Sequence, residues 1–227
     1  KYNFYVKKDA SIYSTSESVN AGHDPILEIA KITNLDGTKD LARSIVYFDW
    51  VKEHNLLTGS FSSYSSSFSA SLFSATLKVF ASQPENIKYS YTLETAPMKQ
   101  AWQGGVGKLD HQPQTEEGVS WAFADASGST NWTSATSGGY HHAAYSTQTF
   151  EFESSDIKLD MKARVQALDG GLTNHGYLLR FSSSLEADTL DYGTLRFFST
   201  ETNTIYAPYL QMAWDDSSYN TGSLLAA

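Results

Sequence analysis

The chain has no cysteine among its 227 residues, which excludes a disulfide framework and thiolate metal sites and leaves stability to packing and assembly. No apolar run approaches the roughly 18 residues that a membrane-spanning helix needs, so no membrane partner is expected. The opening Lys1-Tyr2-Asn3-Phe4 has neither an initiator methionine nor the apolar core of a signal peptide, and a trimmed, processed or partial chain is expected. Basic residues are scarce: 16 Lys and Arg stand against 25 Asp and Glu, a net charge of -9. The excess is local, because residues 1–113 carry 11 acidic and 11 basic side chains and residues 114–227 carry 14 and 5. Phosphate backbones are bound by clustered Lys and Arg, so nucleic-acid binding is not expected.

Catalytic signatures are missing as well. There is no G-x-S-x-G elbow and no H-E-x-x-H, and Gly104-Gly105-Val106-Gly107 lacks the flanking strand and helix of a phosphate-binding loop. His141-His142 are adjacent, and on an extended chain they point to opposite faces, so they read as a solvated polar loop rather than as a metal pair. No catalytic residue is assigned, and the chain is read as a non-enzyme.

What the chain has in quantity is aromatics, with 14 Tyr and 12 Phe, which suit pleated, half-buried surfaces. Period-2 alternation recurs: Ile87, Tyr89, Tyr91 and Leu93; Phe150 and Phe152; Leu210, Met212 and Trp214. Further strands are expected near residues 10–14, 25–31, 44–50, 75–81, 119–123, 176–182 and 193–199. The segment from Ile157 to Leu168 reads as a strand followed by a short helix, with Asp160 as its N-cap candidate and Gly170-Gly171 as its end. The fold class is therefore all-β: an antiparallel β-sandwich, jelly-roll-like, with long loops and at most one or two short helices. Residues 1–216 form one domain and 217–227 a tail. A serine-rich loop, 58–71, and a long irregular insertion, 100–145, interrupt the strands.

Candidate site residues lie in the irregular parts. In the serine-rich loop Phe61, Tyr64 and Phe68 are candidates for partner contact, against docking on their own domain. Trp102 and Trp132, flanked by Gly, Ser and Thr, read equally as core or as platforms for sugar rings, with Tyr140 a third member of the sugar-binding set; Trp121, beside Val119 and Phe123, reads as core. Glu186, Asp188 and Asp191 form a short carboxylate cluster that offers hard oxygen ligands to calcium, against a reading as solvated loop charges. The same carboxylates would serve a glycosidase only with a raised pKa and a cleft. No other cofactor is expected.

Several blocks resemble, in order, those of DNRLRE-type β-sandwich modules: Asp9-Ala10-Ser11-Ile12-Tyr13, Asn20-Ala21-Gly22, Arg43 to Asp49, Ser74 to Phe80, Gly118-Val119-Ser120-Trp121 and Asn174 to Arg180. Trp102-Gln103-Gly104-Gly105 and the long run Phe197-Phe198-Ser199-Thr200-Glu201-Thr202-Asn203-Thr204-Ile205-Tyr206, followed by Trp214-Asp215-Asp216, are similar to virion structural proteins of tailed phages, notably marine ones. The resemblance implies a β-sandwich in a virion, acting through protein–protein contacts in a homo- or hetero-oligomer. The alternative it implies is a carbohydrate-binding or host-adhesion module that takes a glycan. The turn Phe198–Thr204 is read as a fastening rather than a ligand loop, since Ser, Thr and Asn bond nearby backbone.

Overall fold

Alternation along the strands sorts side chains into two opposed apolar faces, and the architecture follows from burying them together. The computed structural model describes residues 1–83, 89–133, 137–151 and 156–216. Ile87 and Phe152, expected in strands, and the tail 217–227 lie outside the described residues. In chain order the strands are β1 (Tyr2–Tyr5), β2 (Lys8–Tyr13), β3 (Ile26–Thr33), β4 (Lys39–Tyr47), β5 (Ser74–Val79), β6 (Tyr91–Pro97), β7 (Phe123–Asp125), β8 (Thr130–Asn131), β9 (Ser146–Phe150), β10 (Ile157–Asp160), β11 (Tyr177–Phe181), β12 (Gly193–Phe198) and β13 (Tyr209–Ala213). The helices are α1 (Trp50–Ser60), α2 (Ser62–Ser67), α3 (Lys162–Asp169) and α4 (Ser183–Ala187).

The strands form antiparallel sheets that curl into a half-barrel, so the protein is all-β and sandwich-like as expected. One sheet has the order β1-β13-β5-β10; the other runs β12-β3-β4-β11-β6-β9 with β2 added on β4; β7 and β8 make a small hairpin. A corner joins the two large sheets where Phe198 N donates to Phe80 O (2.9 Å) and Ala81 bridges Phe197. Ala75, Leu77 and Val79 of β5 with Leu210 and Met212 of β13 face Leu27 and Ile29 of β3 and Leu179 and Phe181 of β11 in one core. Each fully buried Val, Leu, Ile, Phe or Met among them contributes about 1.5–3 kcal/mol.

Helices number four among the described residues, more than the one or two expected, and all are short. The predicted strand 44–50 stops at Tyr47, and Trp50 opens α1 instead. The serine-rich 58–71 segment is not a loop: it carries the end of α1 and all of α2. Its aromatics continue a stripe of Trp50, His54, Leu57, Phe61, Tyr64 and Phe68, spaced alternately by four and three residues, which is helical spacing carried through α1 and α2 across an extended break at Phe61. Segment 157–168 is a strand and then a helix, β10 and α3, and the Asp160 carboxylate accepts from Lys162 N (2.9 Å) at the junction.

The insertion 100–145 lies on the outer face of the larger sheet. Ile12, Ile45 and Leu178 point outward from β2, β4 and β11, and Met98, Trp102, Val119, Trp121, Ala124 and Trp132 cover them as a second core. β4 and β11 are thereby buried on both faces, which explains sequences as apolar as Tyr177-Leu178-Leu179. No strand forms at Val119–Trp121; only Phe123–Asp125 pairs, in the β7–β8 hairpin.

Asn20, wholly buried, fastens this cover. Its Nδ2 donates to Gly104 O (2.6 Å) and Val119 O (2.8 Å), and its Oδ1 accepts from Gly107 N (2.9 Å) and Gly22 N (3.2 Å). Every polar position of the amide is used. Gly105 and Gly118 press against it with φ of +79° and +74°, and a Cβ on either would stand 2.4 or 2.5 Å from an Asn20 atom. Only glycine meets both demands.

Candidate functional site

The loop that carries the carboxylate cluster is organised around an ammonium. Lys31 on β3 is completely buried, and its Nζ donates to Asp188 Oδ1 (3.0 Å), Asp188 O (3.1 Å), Thr33 Oγ1 (2.7 Å) and Leu190 O. Burial works against the Asp188 charge, but hydrogen bonds from Lys31 and from Tyr192 (2.8 Å) outweigh it and hold its pKa below the usual range. Glu186 turns elsewhere: both its oxygens meet Arg43 (2.9 and 2.7 Å), and Arg180 lies at 3.3 Å. Arg180 also pairs with Glu94 (2.6 Å), which closes a buried four-charge chain across β4, β6, β11 and α4. Asp191 accepts from Gly193 N (3.0 Å). The three predicted calcium ligands thus serve three separate partners, and no group of three acidic or imidazole side chains among the described residues could hold a metal ion.

The sugar-ring candidates are displaced in a similar way. Trp102 and Trp132 are each 2% exposed and belong to the second core. Their indole N–H groups donate to His175 O (2.9 Å) and Ser120 O (3.1 Å), so neither offers a free ring face to a ligand from solution. Tyr140 packs beside them, half-buried, with Lys99 Nζ 4.9 Å from its ring centroid. Trp121 is core, with the Arg43 guanidinium 4.9 Å from its ring. His141 Nδ1 turns back to His142 O (2.6 Å).

The partner-contact candidates divide. Tyr64 and Phe68 are buried in the main core, and His54 Nδ1 lies 2.8 Å from the Tyr64 hydroxyl. These two are therefore structural in their own domain. Phe61 sits at the break between α1 and α2, is 45% exposed, and touches Trp214 at 6.0 Å.

An aromatic surface does exist, on the outer face of the smaller sheet. Register sets Tyr5 beside Tyr209, Tyr209 beside Lys78, and Lys78 beside Lys158, a ladder across β1, β13, β5 and β10. The next outward row is Asn3, Gln211, Thr76 and Asp160, with Gln211 donating to Asn3 Oδ1 (3.1 Å). Ring contacts at 5.6 Å run from Tyr5 to Tyr209, Phe80, Tyr206 and Phe198, and Lys78 Nζ lies 5.9 Å from the Tyr209 ring. Tyr5 is 56% exposed, Tyr206 46% and Ile205 81%. Partial burial, then the neighbouring Tyr5, raise the Tyr209 phenol above its ordinary pKa, so it is a neutral donor at any physiological pH. No protein-family model matches the chain, and no curated protein matches it.

The turn that supplies Ile205 and Tyr206 is held from below. Ser199 Oγ donates to Asp24 O (2.6 Å) and accepts from Glu201 N (3.0 Å), while Thr200 N and Oγ1 both donate to the buried Asp9 carboxylate (2.9 Å each). Burial lifts the Asp9 pKa to about 6 despite those two bonds. The face can therefore present a fixed row of rings and two ammonium groups to a partner. Such rows form contact surfaces, because aromatic rings lose little entropy on docking and supply large area. Sequence reasoning missed Tyr5, Phe80 and Tyr209; their only signal was outward placement in strands whose alternate residues are apolar.

Proposed function

We propose that the chain is a non-enzymatic structural component of a phage particle, and that it docks a neighbouring virion subunit through the outer face of its smaller sheet. The observation that carries the reading is that the run resembling virion structural proteins, residues 197–206, supplies Phe198 and Tyr206 of the aromatic row and the exposed Ile205 next to Tyr206. Sheet faces of soluble monomers seldom leave rings contiguous in solvent, and contiguous apolar surface marks interaction sites. Lys78 and Lys158 in the same ladder suit a partner that presents carboxylates.

Mass photometry of the chain, alone and with purified virion proteins, tests this. Assembly that is lost in a Tyr5→Ser/Tyr206→Ser variant of unchanged melting temperature supports the reading. A persistent monomer with no virion partner and a positive glycan-array signal would replace it with host adhesion through the same rings. Assembly indifferent to the double substitution would place the contact elsewhere.

A further inference from the structure

A cleft of about 360 Å³ lies where the β1–β2 joint, the insertion and the turn before β11 meet; its lining includes Lys7, Lys8, Tyr47, Trp102, Gln103 and His175. That volume is in the range of small-molecule sites. It is a cationic recess in an acidic protein.

The charges in it are unequal. Lys7 is neutralised by Asp49 at 3.1 Å. Lys8 is half-buried between two rings, 4.4 Å from the Trp102 centroid and 5.2 Å from that of Tyr47, and donates to Trp102 O. It makes no ion pair among the described residues, so two of its three ammonium protons have no protein acceptor there. Burial, then Lys7 next to it, lower its pKa, with Asp125 opposing. A partly desolvated cation without a counterion gains more from an incoming anion than an exposed one does.

The rim supplies further donors. Neither the Gln103 side-chain amide nor the His175 ring has a hydrogen-bond partner among the described residues. The wall is set, because Asn174 donates to Phe48 O (2.7 Å) and accepts from Gly176 N (3.1 Å), while His175 O receives the Trp102 indole. One uncompensated positive charge matches one negative charge, which favours a carboxylate over a phosphate dianion.

We propose that this cleft binds a small organic carboxylate, which takes the two free protons of the Lys8 ammonium, with Gln103 and His175 closing on the rest of the molecule. The site is independent of the docking face and stands or falls separately from it.

The experiment is a titration of protein labelled with ¹⁵N at lysine Nζ and tryptophan Nε1, at constant ionic strength, with sodium glucuronate, with glucose as its neutral counterpart, and with inorganic phosphate. The expected result is a saturable shift of the Lys8 and Trp102 signals with glucuronate and none with glucose. Lys8→Gln should weaken binding about tenfold, the loss of a charge-assisted contact. Gln103→Ala, at an exposed position that leaves the fold intact, should weaken it by a smaller factor. Equal response to glucose, tighter binding of phosphate, a shift that never saturates and follows any sodium salt, or affinities unchanged in both variants would each overturn the assignment.

Discussion

The ammonium of Lys31 lies 3.0 Å from the carboxylate of Asp188 and reaches two backbone carbonyls of the same loop, filling the place that a bound cation would occupy. The loop between α4 and β12 is therefore closed by a side chain from β3, 157 residues away in sequence. Replacing Lys31 with Met removes the ammonium donor from Leu190 O, Asp188 O and the Asp188 carboxylate, and leaves Leu190 O to the Thr33 hydroxyl and the carboxylate to Tyr192 and Leu190 N. Because Asp188 is 30% exposed and rehydrates in part, the expected cost is about 2 kcal/mol in urea unfolding. Millimolar calcium should leave the melting temperature of the native chain unchanged; a rise of several degrees would restore the carboxylates as ligands.

Asn20 gives a second test. Asn20→Ala leaves two backbone donors and two carbonyls of the glycine-rich cover without partners, a loss expected at about 3 kcal/mol. Gly118→Ala should act similarly through crowding and a left-handed φ. Hydrogen exchange is the discriminating readout: amides in residues 100–133 should exchange faster in both variants, while those of β5 and β13 keep their protection. Uniform acceleration would mean that the cover and the sandwich unfold as one.

Phe68→Ala and Phe61→Ser separate the two ends of the serine-rich aromatic stripe. Phe68 is core, and its truncation is expected to cost about 3–5 kcal/mol. Phe61 is half in solvent, and its replacement should stay within about 0.5 kcal/mol. Similar costs for both would contradict the helical packing of α1 and α2.

Asp9 predicts a pH dependence of definite sign. Its folded pKa of about 6 lies above that of an unfolded aspartate, about 4, so between those values the folded chain holds a proton that the unfolded chain has lost. This group's contribution to stability is full below about pH 4, declines by about 3 kcal/mol as pH rises to 6, and is then level. The difference in unfolding free energy between the native chain and Asp9→Asn, followed from pH 4 to 7, isolates it. A flat difference would show that folding leaves the Asp9 pKa unshifted.

How much of this was legible in the sequence depended on the range of the interaction. Strands showed wherever one face is wet, as at Leu210 and Met212, and the switch from strand to helix after Asp160 showed because both periods fit in a dozen residues. The stripe from Trp50 to Phe68 was equally local, with spacings of four and three, but serine between its members looked like a spacer. Trp102 and Trp132 could not be placed without knowing that Ile12, Ile45 and Leu178 on the outward sheet face require cover. The Tyr5–Tyr209–Lys78 ladder depends on cross-strand register between the two ends of the chain, which no local pattern encodes.

The insertion has a consequence for assembly geometry. By lying over the larger sheet it makes the molecule two-sided in an unequal sense: among the described residues one broad side is finished with loops, glycine turns and tucked indoles, and the other is bare sheet. Under the docking proposed above, a subunit of that kind would add to an existing surface and end growth there, because the side it turns outward offers, among the described residues, no second sheet face to the next copy. Units that dock in the proposed way would coat a body in a single layer rather than stack into a fibre.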